Sequence, residues 1–445
     1  MKTAESIFPI RWTQIFCILA SLYAVAVAVY IFVETGKPLG SRDFHQFWYA
    51  GHFILEGRDP YEAFFAKEPP SLPVVYLDGV TINEYPVAQA DLEITPSNTP
   101  MMLLLLSPFS YFSWGVAKWM FLVVNLILML VTGWLVIRHF PFRGIKLSPL
   151  DEVLIFLAYF DLSATRIAIE NGQTTLLVFL LMILALMYAN RSWGVAGLAL
   201  GVALSKYSLS LPVFLLLLYK RNFKVLLIAI AVQLLGVLGI ALVTGTSPVT
   251  IVIENIQLFF RLFDQPGVHF SRWFEFLSDN PFVSLIPVLV LTLLIFVPIV
   301  LWLRNLSPSD LKTEEVIDFH LLTILFIWTL LIAYHRLYDT LIVLFFIVLV
   351  FKGLATPNLW NLTKQERTGL LLFMGTIPAL LILPARIVGR FLTNYYGRNS
   401  DFVTTCLLVL MLGFSLILLR RYLEAAQPER YASTIISHDI QIDSQ

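Results

Sequence analysis

Apolar runs of roughly bilayer length recur along this chain from Ile15 to Leu419, divided by short polar turns. Lipid offers no water to a free N–H or C=O, so such segments must bond their backbone internally, as helices or as a closed barrel. Continuous apolar runs, rather than short alternating ones, select the helix. Composition agrees, with 58% of the 445 residues hydrophobic and only 13% charged, against about 25% charged in a soluble domain. An all-α polytopic membrane protein is expected. Thirty basic residues balance thirty acidic ones with no basic block, so nucleic acid is not an expected partner. Cys17 and Cys406 both fall in apolar spans and offer neither a disulfide framework nor a cysteine metal site.

About twelve transmembrane helices are expected, at 14–34, 115–137, 151–168, 173–190, 193–205, 207–219, 225–243, 281–303, 318–334, 338–352, 369–385 and 402–419. The segment 99–113, interrupted by Pro108, is then a partial or re-entrant piece. This count puts the basic turns 138–146, 190–191, 219–224, 304–312, 352–367 and 420–421 on the cytoplasmic side, as the positive-inside bias requires. A rival count lets 99–113 cross and fuses 193–219 into one helix. Both leave 35–98, 244–280, 334–338 and 386–401 outside. Residues 1–420 form one expected membrane domain, and 421–445 a flexible cytoplasmic tail. No endoplasmic-reticulum retrieval signal is recognisable, which points to a bacterial plasma membrane.

The outer regions hold the unusual residues. In "SRDFHQFWYAGHFILEGRDPYEAF" (41–64), apolar side chains recur at helical spacing, while His45, Tyr49, His52 and Glu56 form a polar stripe. This predicts an amphipathic juxtamembrane helix on the outer interface, stopped at Gly57, with its polar stripe facing a cleft or water. Asp43 stands at its start, either as an N-cap or as a carboxylate held for general-base work; the two roles are compatible. The spacing of His45, His52 and Glu56 is not that of a zinc protease, so no metal or other cofactor is expected. Elsewhere, "RIAIENGQTT" (166–175) brings Glu170, Asn171 and Gln173 to the side of Asp43, unless it is only a tight turn. Lys206 lies in an otherwise apolar region and must snorkel or meet an anion such as a phosphate. "AYHRLYDTL" (333–341) adds His335, Arg336, Tyr338 and Asp339, with Arg336 either assisting at a phosphate or pairing with Asp339 to close a helical hairpin. Arg386 and Arg390 add further outer positive charge, which suits an anionic ligand.

Three stretches, in this order, resemble glycosyltransferase family 87. They are "RDFHQFWYAGHFILEGRDPY", "TPMMLLLLSPFS" and "NGQTTLLVFLLMILALMYANRSWGVAGLALGVALSKYSLSLPVFLLLLYKRN", the last with Gly-Gln, Ala-Gly-x-x-x-Gly and a lone Lys before a basic loop. Asn98-Thr99-Pro100 departs from the aromatic-Pro-Pro run common in that family. The resemblance implies a C-type glycosyltransferase fold and a polyprenyl-phosphate sugar donor, carrying a hexose such as mannose, or arabinose. It also implies that Asp43 is the catalytic base.

The expected reaction is transfer to an acceptor hydroxyl of a lipid or glycan at the outer face, by inverting displacement. Lys206, Arg336 and Arg386 would hold the donor phosphate. His45, Tyr49, His52, Asp59, Gln173 and His335 would position sugar or acceptor. The alternative is a transporter or flippase for an anionic lipid-linked substrate, which would show repeats and charges at mid-depth; a non-catalytic scaffold would not need Asp43, Lys206 and Arg336 to converge.

Overall fold

The computed structural model describes residues 10–37, 40–66, 74–75, 81–82, 96, 98–139, 147–263, 281–304, 311–332, 336–356, 359–382 and 399–426. Among them the chain is helical, apart from a two-residue antiparallel pair, Val74–Val75 with Thr81–Ile82. The helices are α1 (Ile10–Gly36), α2 (Arg42–Leu55), α3 (Pro60–Ala66), α4 (Pro100–Leu106), α5 (Trp114–Trp134), α6 (Pro149–Asp161), α7 (Ser163–Glu170) and α8 (Thr175–Tyr188). There follow α9 (Trp193–Ala203), α10 (Tyr207–Tyr219), α11 (Phe223–Thr244), α12 (Pro248–Phe263), α13 (Pro281–Arg304), α14 (Leu311–Ile332), α15 (Leu344–Ala355), α16 (Lys364–Ile382) and α17 (Asn399–Ala426). Seven helical stretches among the described residues are long and apolar enough to cross a membrane, or eight if α7 and α8, bent by 114°, make one span. The chain is a multi-pass helical membrane protein.

The stretch 193–219 passes the length test as one helix, yet it is folded as two. Arg191 and Lys220 line a single cavity, which a straight helix of that length, spanning about 40 Å, could not allow. The reversal falls at the 3-10 turn Leu204–Lys206, where Lys206 leaves helical geometry (φ −119, ψ 68). The fused reading of 193–219 is thus corrected. One other expectation shifts. The span placed at 151–168 breaks at Leu162, whose ψ of 131 is extended, so that α7 starts afresh. The segment from Pro100, α4 and the 3-10 turn Ser107–Tyr111, is too short to cross, in line with the count that makes 99–113 a partial piece and against its rival. Helix α17 runs on through Arg420 and Arg421 to Ala426, and Arg421 pairs with Glu366 at 2.5 Å.

Long-range contacts mark the two ends of the bundle. Arg138 bonds Glu152 at 2.9 Å, and Lys220 pairs with Asp318, tying together the ends of α5 and α10 and the beginnings of α6 and α14. At the other end Lys118 donates to the Lys37 carbonyl at 2.5 Å, and Lys206 meets Thr175 and Asp339. Lys206, at the top of the α9–α10 hairpin, therefore lies at the end where α1 finishes and α2 begins.

Helix α2 does not lie on the surface as its amphipathic pattern suggested. Most of it is buried inside the protein, including His45 and Tyr49 of the polar stripe, while His52 and Glu56 are half-buried. Phe44 stacks on Phe121 with ring centroids 4.0 Å apart and meets Phe109 edge-on. Trp48 Nε1 donates to the Phe112 carbonyl at 2.9 Å, and Ser110 Oγ donates to the Trp48 carbonyl at 2.7 Å. A Cβ on Gly51 would stand 2.0 Å from Ser110 Oγ, so the close approach needs glycine here. Each fully buried aromatic contributes about 1.5–3 kcal/mol, enough to hold a short helix that propensity alone would not. The stop at Gly57 (φ +71) is as expected: Arg58 N–H bonds the Phe53 carbonyl and Gly57 N–H the Ile54 carbonyl.

Candidate functional site

Helix α2 starts two residues earlier than its sequence suggests, so Asp43 is its second helical residue and not its N-cap. The cap position is Ser41, in left-handed geometry (φ 60), with no side-chain cap bond. The orphan amides of the first turn go instead to another part of the chain. Asp43 N–H donates to the Asn171 carbonyl at 2.9 Å and Phe44 N–H to the same oxygen at 3.1 Å. The turn after α7 thus serves as the cap, which requires Gly172 to sit at φ +67 with its missing Cβ only 2.6 Å from Phe44 Cβ.

This junction buries the Asp43 carboxylate, 8% exposed, and leaves its Oδ2 with no hydrogen-bond partner. Burial pushes its carboxyl above the ordinary carboxylate range; the Gln173 side chain, the charges of Arg336 and Lys206, and the Asn171 side chain pull part of the way back. Desolvation outweighs those partners. Asp43, Gln173, Lys206 and Arg336 are therefore neighbours, as expected of a shared site.

Lys206 has a partner of its own. Its Nζ donates to Asp339 Oδ1 at 2.5 Å and to Thr175 Oγ1 at 2.6 Å, lies 4.6 Å from the centre of the Tyr338 ring, and Thr175 donates to Asp339 at 3.0 Å. Asp339 thus pairs with Lys206. Arg336 stands at the start of the 3-10 turn Leu337–Val343, where its carbonyl accepts from Asp339 N–H at 2.9 Å. Thr175 is a contributor that sequence reasoning left out, and Asn171 and Asp339, though singled out, were given no role at the site; the signal for Thr175 was its place in "ENGQTT", next to residues already singled out.

The histidine stripe goes elsewhere. Around α2, His45, Tyr49 and His52 stand about 180–240° from Asp43 at 100° per residue, so they face away from it. His45 stacks on Tyr49 and meets Trp114 edge-on, while His52 lies edge-on to Trp48. Burial lowers the His52 imidazole from its ordinary value, against the charge of Glu56. These rings are aromatic packing, and the structure does not bring them to Asp43. Asp59 lies at the far end of α2, about 20 Å along the helix. It caps α3, its Oδ1 accepting from Tyr61 N–H at 2.8 Å, while Oδ2 is buried and unpartnered; burial raises its carboxyl. His335, Arg386 and Arg390 lie outside the described residues. Among the described residues, no three His, Cys, Asp or Glu side chains are grouped to hold a metal ion.

A pocket of about 120 Å³ adjoins this junction, lined by Glu34, Lys37, Gly40, Ser41, Arg42, Glu170 and Asn171. Asn171 belongs to both: it lines the pocket and bonds Asp43.

Comparison with curated proteins finds no match, and comparison with solved structures finds none either. A family model does match: it takes in Asn171, Gln173, Thr175 and Lys206 but begins after Asp43 and ends before Arg336. With residues 97–332, more than half its length, matched by the model of glycosyltransferase family 87, this chain belongs to that family and is a glycosyltransferase.

Proposed function

We propose that this enzyme, with a C-type fold, transfers a sugar from a polyprenyl-phosphate donor to an acceptor hydroxyl at the outer face of a bacterial plasma membrane. The observation that carries the reading is Asp43, a buried carboxylate with one oxygen unpartnered, beside two cations. A general base needs an oxygen open to the proton it takes, and hydroxyl groups are activated in this way by factors of about 100–10,000. The acceptor hydroxyl hydrogen-bonds to Asp43 Oδ2, loses its proton to it, and attacks the anomeric carbon as the phosphate leaves with the bonding pair. One displacement inverts the anomeric configuration.

The departing phosphate gathers negative charge, which preformed cations in a dry site stabilise without reorganisation. Two of the three Lys206 N–H groups are spent on Asp339 and Thr175, an arrangement that aims the ammonium. The remaining N–H, with Arg336, is the phosphate contact in this reading. Arg386 and His335 remain candidates for the same flank. Gln173 holds the base in register from the donor side. The sugar, a hexose such as mannose or arabinose, is to be identified by donor profiling with mass detection of product.

Asp43→Asn tests the assignment. The variant, purified in folded form and given polyprenyl-phosphate sugars, is expected to lose activity by about 100-fold or more. Turnover near that of the wild type would sink it.

A further inference from the structure

The pocket beside Asp43 differs in character from the Lys206–Arg336 flank. It is lined by two carboxylates, Glu34 and Glu170, and two cations, Lys37 and Arg42, with the Asn171 amide between. Glu34 accepts from Lys37 Nζ at 2.5 Å, and Glu170 accepts from the Tyr30 hydroxyl at 3.3 Å, with the Arg166 guanidinium over the Tyr30 ring, 5.4 Å from its centre. Charges of both signs cancel across a small opening. A phosphate placed there meets two carboxylates, and a bare cation meets a lysine and an arginine. A neutral group rich in hydroxyls meets neither conflict, because each hydroxyl can donate to a carboxylate and accept from Arg42 or Asn171.

The wall of the pocket is fixed by the backbone. A Cβ on Gly40 would stand 2.4 Å from the Glu34 carbonyl and 2.7 Å from that of Thr35. The end of α1 is thus folded tightly back against the start of α2, where Ser41 and Asn171 form the common wall with the base.

We infer that this pocket is the acceptor subsite, taking a neutral polyhydroxylated headgroup, a sugar or cyclitol, so that one of its hydroxyls reaches Asp43 past Asn171. The inference rests on the glycosyl-transfer reading and divides the site in two. The anionic donor lies against Lys206 and Arg336, and the uncharged acceptor against Glu34, Glu170 and Arg42. Sorting by charge keeps the donor out of the acceptor position.

The test is equilibrium binding of radiolabelled n-octyl glucoside to the purified full-length protein in lipid nanodiscs, with n-octanol as the competitor lacking the polyol. Saturable glucoside binding that octanol does not displace is expected, weakened about tenfold or more in Glu34→Gln and in Glu170→Gln, since each removes a charged hydrogen-bond acceptor. The two variants lie on different helices and are each compared at matched melting temperature. Absence of saturable binding, equal displacement by octanol, or unchanged affinity in both variants overturns the subsite. Transfer is scored separately, from polyprenyl-phosphate mannose and polyprenyl-phosphate arabinose to the same glucoside. Binding that follows the expected pattern with no transfer from either donor overturns the transfer reading and leaves the polyol site standing.

Discussion

Asp43 shows how a single residue can be set against the stability of its own fold. Its carboxyl binds a proton more tightly folded than unfolded, where the ordinary value is near 3.8. Stability tied to this group is therefore fully present below the unfolded value and lost as pH rises through the raised folded one. Asp43→Asn, which cannot ionise, is expected to melt a few degrees higher than wild type at neutral pH and to converge with it in acid. A lower melting point at neutral pH would refute the desolvation account. The Lys206–Asp339 pair makes the opposite case. Both side chains are largely buried, and removing one partner strands the other charge. Asp339→Leu is expected to cost about 3–5 kcal/mol, whereas Lys206→Met with Asp339→Leu should recover most of that stability and still lose donor affinity. Denaturation midpoints with donor KM separate the structural from the binding role.

At the scale of elements, the site depends on how closely helices approach. Helix α9 packs on α11 through Gly197 and Gly201, one turn apart. A Cβ on Gly201 would lie 2.5 Å from Val232 Cβ, and one on Gly197 2.6 Å from Ile228 Cβ. Small residues at this spacing let membrane helices touch backbone to side chain. Since α9 carries the reversal that lifts Lys206 into the site, Gly201→Val is expected to destabilise by about 1–3 kcal/mol from overpacking and to weaken donor binding. A variant with unaltered melting and donor KM would show that Lys206 is placed by other contacts. Helix α2 teaches a related lesson. Its amphipathic period was legible, but burial of both faces was not, because the rings that cover the polar stripe come from α5 and its own neighbours.

For the whole molecule, the two ends defined by contact correspond to opposite sides of the expected membrane. The end holding Arg138, Arg191, Lys220 and Lys224 is rich in basic residues, and the Asp43 end is the far one. By the positive-inside bias, the basic end is expected in the cytoplasm. Lys37→Cys, exposed beside the pocket, is therefore expected to react with a membrane-impermeant maleimide in intact cells. Lys224→Cys is expected to react only after lysis, both in a background lacking Cys17 and Cys406. The reverse pattern would place the reaction on the cytoplasmic side.

The sequence by itself determined the helical membrane architecture, the hinge at Lys206 and the stop at Gly57. These follow from local quantities: apolar run length, helical period, turn chemistry and the cost of an isolated charge in lipid. Only the tertiary structure decided that the first turn at Asp43 is capped by the Asn171 carbonyl, that its Oδ2 is left buried and unpartnered, that the histidine stripe turns away, and that Lys206 answers to Asp339. The Lys206–Asp339 bond spans 133 residues, and Asp43 meets Asn171 across a comparable distance. Pairings of that range depend on which helices lie side by side, and hydrophobic pattern says only that each helix has a face to bury, not which partner buries it.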